Sequence, residues 1–169
     1  MAMQGRGPGG SGSWCQSRGC EKGSILSVAA GFTQRWSLYD GCMSSFQQTI
    51  LFTDTDGRAR FREQSIALDQ GTPQSRLSAL MQSGGYQLRH SPVGFRSEFH
   101  VSQHTQWVFI LQGQMEIGLQ DGSSRIFGPG GHFYSADLLP PGAVFDPQVH
   151  GHWSRQMGDE ELVTVFVQD

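Results

Sequence analysis

From Gln48 to its C-terminus the chain is cut every few residues by glycine, proline or Asp-Gly, and the pieces between the cuts are short, β-branched and aromatic. No piece repeats its apolar residues with a helical period for more than about three turns. Only "QSRLSALMQ" also reads as a short helix. "RFREQSIAL" alternates loosely, and "RLSALMQ" and "YQLRH" flank Ser83-Gly84-Gly85, a spacing that predicts a hairpin. "QWVFILQG" and "QMEIGLQ" are separated by Gly113, and Asp121-Gly122 turns the chain into "SSRIF". "GPGG" precedes "HFYSA", "LLPPGAVFD" reads as a turn-rich link, and "ELVTVFVQ" closes the chain as a mostly apolar strand. Roughly ten short strands at this spacing predict an all-β chain, a closed or two-sheet antiparallel barrel.

The 169 residues suit one domain, and the sequence divides unevenly. Residues 1–42 hold all three cysteines and the only lysine, Lys22, within a glycine- and serine-rich stretch that has no periodicity. This segment is expected to be a disordered extension, either from an upstream start or as an organellar transit leader, since "MSSFQQTILFTDTDG" from Met43 is a sensible domain start. Residues 43–169 are the expected domain, and the cytoplasm is the expected location.

Within residues 43–169 there are eight arginines, thirteen acids and all six histidines, but no cysteine or lysine. The domain thus has no disulfide framework, thiol nucleophile or Schiff-base lysine. The overall charge of −3 gives no reason to expect nucleic acid, and no apolar run is long enough to span a membrane. Phosphate loops, dinucleotide fingerprints and nucleophile elbows are absent from the sequence. Chemistry is left to histidine, carboxylate, hydroxyl, arginine or a bound cofactor.

"EFHVSQHTQWVFILQG" and the later "GPGG", "LLPPG" and "HGHWSR" resemble the cupin superfamily over roughly residues 75 to 168. The resemblance implies a double-stranded β-helix, or jelly-roll barrel, with a metal in its mouth. The superfamily's first motif has two histidines one residue apart, then a glutamate, and a glycine seven residues after it. Gly113 sets the register here, which puts Gln106 at the glutamate, His100 at the first histidine and Ser102 at the second. In the second motif His150 or His152 takes the ligand position, and "GHWSRQMGDEELVTVFV" favours His152 through likeness to a subgroup of small cupins.

The resemblance implies that His100, His104, Gln106 and His152 hold a divalent transition metal (iron, nickel, zinc or manganese), with Asp137 or Tyr134 as base or hydrogen-bond partner. The implied chemistry on a small polar ligand is oxygen insertion, isomerisation or lyase-type proton abstraction. Ser102 and Gln106 at ligand positions favour another reading, a non-catalytic binding or sensing barrel that has lost its metal. A homodimer through edge strands is also in keeping with the resemblance. His90, His132 and His150 are expected to be structural or solvent-facing, and Trp107, Phe109, Phe127 and Phe166 to fill the core. Arg58, Arg60 and Arg62 are expected on one solvated strand face.

Overall fold

A computed structural model describes residues 44–169, and the expected N-terminal extension lies outside the described residues. These residues form eleven strands. In chain order they are β1 (Ser44–Thr53), β2 (Ala59–Leu68), β3 (Gln70–Thr72), β4 (Ser75–Leu77), β5 (Gly85–Ser91) and β6 (Gln106–Gln112). Then come β7 (Gln114–Gly118), β8 (Ser124–Phe127), β9 (His132–Ala136), β10 (Trp153–Met157) and β11 (Leu162–Gln168). No helix among the described residues is long and apolar enough to cross a membrane.

One sheet has the order β2-β1-β9-β6-β11-β5 and a second has β10-β7-β8. The free side of β10 is met by the segment before β6 through two isolated bridges, Arg96↔Arg155 and His100↔His152. With that segment included, the eight successive stretches from β5 to β11 interleave between the sheets. The order is β5-β11-β6-β9 on one side and 96–100, β10, β7, β8 on the other. This is a double-sheet jelly roll, with β1 and β2 added as a hairpin beside β9. The fold is therefore all-β, as expected.

The core lies between the sheets. Leu51, Val108, Ile110 and Phe133 from the first sheet meet Met115, Ile117 and Phe127 from the second, each at most 7% exposed. At roughly 1.5–3 kcal/mol per large apolar side chain fully buried, this layer is the main favourable term. Gly113 makes the corner from β6 into β7, where the chain changes sheets. Its φ is +70°, and an added Cβ would sit 2.6 Å from the carbonyl oxygen of Glu161.

Three expectations need correction. The hairpin around Ser83-Gly84-Gly85 does not form. β4 pairs with β3, while β5 pairs along its whole length with the C-terminal β11 and Gly84 N–H donates to the Gln168 carbonyl. The helical alternative for "QSRLSALMQ" fails as well, since Ser75–Leu77 is extended and 78–84 is irregular. Of the four aromatics assigned to the core, Phe127 belongs there and Phe166 packs against it. Trp107 and Phe109 alternate with the buried Val108 and Ile110, so they point to the opposite, outer face of the large sheet, half-buried.

Candidate functional site

A cavity of about 890 Å³ opens between the sheets, on the side where residues 96–105 approach β10 and β11. His100, His104, Gln106 and His152 all line it. His100 and His152 are direct cross-strand partners, each backbone N–H donating to the other's carbonyl at 2.9 Å. Their ring centroids are 4.5 Å apart. His150 is excluded from this place. Its Nδ1 accepts the Asp146 N–H at 2.9 Å and its ring lies against Phe145, in the loop before β10.

Gly151 makes the histidine bridge possible. Its φ is +79°, and an added Cβ would fall 2.0 Å from the His100 carbonyl oxygen. Only glycine lets the backbone before His152 come this close.

Asp137 is fully buried behind His152. Its Oδ2 lies 2.5 Å from Nδ1 of His152, and its Oδ1 accepts from Ser102 Oγ at 2.7 Å and from Ser135 Oγ at 3.1 Å. A buried carboxylate is tolerated when its oxygens meet donors, and here two hydroxyls bond Oδ1 and an imidazole bonds Oδ2. Ser102, expected at the place of a second histidine, donates to this carboxylate. Ser135 was missed by sequence reading; its signal is its place in β9 between two outward residues, on the inward parity shared with Phe133.

The hydrogen bonds also set the tautomers. Glu98 O can only accept, so Nδ1 of His100, 2.9 Å away, carries the proton. The Asp137 carboxylate likewise places a proton on Nδ1 of His152. Nε2 of each ring has no hydrogen-bond partner among the described residues. The cavity leaves His100 accessible, but the surrounding walls make its charged form costly. Burial first, then the neighbouring His152, lowers its pKa below the ordinary imidazole value, while the Glu98 carbonyl pulls it the other way.

His104 stands exposed at the rim and Gln106 half-buried on the wall, separated by one residue at the start of β6. The segment 101–105 is not a strand, so His100 and His104 do not share a face by β parity. Tyr134 does not join the site. Strand alternation turns it to the outer face of the large sheet, where its hydroxyl donates to Asp169 and its ring meets Trp107 edge-on. Burial, and then that carboxylate, raise its pKa. Glu98 contributes only its backbone carbonyl. His90 pairs with Glu161 at 3.0 Å, and His132 stacks on Phe46 at the outer face. Arg60 is engaged by Asp54 and Asp56, and Arg62 lies over the Phe52 ring; Arg58 precedes the strand.

The two histidines fit the way ligating imidazoles are held, with one nitrogen anchored to a carboxylate or carbonyl and the other free. The set stops at two. No group of three His, Cys, Asp or Glu converges among the described residues, and both oxygens of Asp137 are engaged by Ser102, Ser135 and His152. A third ligand would have to come from Gln106, His104 or the bound molecule.

No family model matches the chain, and no curated protein matches it. Among solved structures it is similar to the Schizosaccharomyces pombe Cnp3 cupin domain, at 15% identity and a TM-score of 0.35, over 78% of this chain and 89% of that one.

Proposed function

We propose that this chain is a cupin-type barrel that takes a small polar molecule into its cavity and moves a proton on it, in isomerase- or lyase-type chemistry. Nε2 of His152 is the base. Asp137 orients the ring and stabilises the imidazolium formed when the proton arrives, and the neutral His100 beside it offers a second nitrogen to the same molecule. The supporting observation is the contact between the fully buried Asp137 and Nδ1 of His152. A carboxylate that holds the proton on Nδ1 leaves the lone pair of Nε2 on the outward side of the ring, where a base needs it. The test is deuterium exchange in heavy water, using a panel of small carbonyl compounds, charged and neutral, followed by proton NMR. At least one compound should exchange its α-hydrogen well above the buffer rate, and His152→Gln should remove that excess. If none exchanges, the cavity is a non-catalytic binding site.

A divalent transition metal is a second reading, favoured by the anchored Nδ1 atoms of both histidines. His100 and His152 would hold it through Nε2, and it would supply Lewis-acid polarisation of a ligand oxygen. Zinc or nickel titration decides between the readings. Micromolar binding lost in His100→Ala, together with exchange abolished by a chelator, would favour the metal; undiminished exchange after chelation favours the metal-free base.

A further inference from the structure

β5 brings a cation to the cavity wall. Tyr86 and Leu88 are 73% and 68% exposed, while Arg89, between Leu88 and His90, is half-buried and lines the cavity. Its guanidinium lies 4.5 Å from the centroid of Phe95 and 5.8 Å from that of Phe166. Among the described residues it has no salt bridge, and the cavity lining includes no carboxylate. Asp137 lies behind the wall, committed to His152, Ser102 and Ser135. A half-buried cation with no counter-charge is unfavourable for folding alone. It is accounted for if the cavity's usual occupant supplies the missing negative charge.

We propose that the cavity selects a small organic carboxylate, with Arg89 as its anion anchor and the His100–His152 pair facing the rest of the molecule. This rests on the proton-transfer reading above and names its substrate class. The aromatic rings of Phe95 and Phe166 hold the guanidinium plane in place, and such a fork matches the two oxygens of a carboxylate. Burial lowers the pKa of Arg89, but an arginine remains charged, and its charge also disfavours protonation of His100. Gln87 and Gln106 offer neutral amides on the same walls for the remaining polar groups of the ligand. A carboxylate anchored by a cation also has a more acidic α-hydrogen, which suits abstraction by a neutral imidazole.

The experiment compares acids with their neutral amides. Glycolate, pyruvate and succinate, and the three corresponding amides, are titrated into the full chain by calorimetry, with Arg89→Gln and Arg89→Lys in parallel and thermal unfolding as a folding control. Wild type should bind at least one acid about tenfold or more tightly than its amide, a difference of about 1.4 kcal/mol. Arg89→Gln should erase that preference, and Arg89→Lys should keep part of it while losing the bidentate geometry. If no acid binds, or acid and amide bind equally to wild type, the proposal is overturned. Persistence of the preference in folded Arg89→Gln overturns it too. Deuterium exchange, read beside binding, separates the two ideas. Acid binding through Arg89 without deuterium exchange in wild type keeps the anchor and removes the proton-transfer reading. Exchange confined to neutral compounds and indifferent to Arg89→Gln does the reverse.

Discussion

Asp137 shows how one side chain sets the chemistry of another. Replacing it with Asn offers an N–H to Nδ1 of His152, which moves the imidazole proton to Nε2 and removes the lone pair from the cavity. Asp137→Asn should fold with a loss of about 1–3 kcal/mol, and nitrogen-15 NMR of the His152 ring should report the exchanged tautomer. An unchanged Nδ1-H signal would mean that the carboxylate is not what sets the ring. Gly151→Ala tests the backbone beneath the site. Its strained φ and the 2.0 Å approach to the His100 carbonyl should cost about 1–3 kcal/mol and separate the two histidines. A thermal midpoint within a degree of wild type would contradict this. His100, His152 and Asp137 were legible in the sequence because a motif register singled them out. Arg89 and Ser135 were not, because their importance lies in which way they point, and parity cannot be assigned until the wet side of a strand is known. Tyr134 failed for the same reason, since it is next to Ser135 and so faces away from the cavity.

Among the elements, β7 and β10 have an ionic outer face that stabilises the small sheet. Glu116, 7% exposed, accepts from Arg155 at 2.5 Å and from Ser124 at 2.6 Å, and the Arg96 and Arg155 guanidinium groups flank the Trp153 ring. Burial pushes the Glu116 pKa up, but the Ser124 and Arg155 hydrogen bonds outweigh it and hold the carboxyl below its ordinary 4.5. With the folded pKa depressed, its stabilisation is fully present above the unfolded value and lost as pH falls below about 4.5 and through the folded pKa. Glu116→Gln should therefore lower stability at pH 7, and the gap from wild type should narrow as acid is added. Urea midpoints measured across this range check it, and a constant gap would refute it. Strand positions were readable here because glycine and Asp-Gly mark their ends. Strand partners were not. β5 looked locally paired with the segment just before it, but its seven residues instead find the C-terminal β11, an association that no local turn signal encodes.

For the whole molecule, the shared core makes the two sheets one cooperative unit. Ile117, with no exposed surface, belongs to the core cluster drawn from both sheets. Ile117→Ala should cost about 2–5 kcal/mol and shift one single unfolding transition rather than split it. Two separated transitions in calorimetry would show that the sheets unfold independently. A chain started at Met43 should unfold within a few degrees of the full chain, because the sequence of residues 1–42 is glycine-rich and aperiodic, with little apolar area to set against ordering entropy. The all-β class was readable from turn spacing alone. The outward Trp107 and Phe109 were not, since large aromatics are expected in the core, and this sheet is apolar on both faces.

The bridge between His100 and His152 ends a short pairing of four backbone hydrogen bonds, the other two being Ser97 N–H to Ser154 O and Gln156 N–H to Phe95 O, and it joins chain segments far apart in sequence. So short a ladder contributes little cooperativity, and its long loop makes it slow to close, so the site should be among the last parts to form during folding and the first to open afterwards. Amide hydrogen exchange should then find His100 and His152 less protected than Val108 or Ile117. The cavity mouth would breathe on its own while the barrel behind it stays shut, giving a ligand a way in that does not require the fold to loosen.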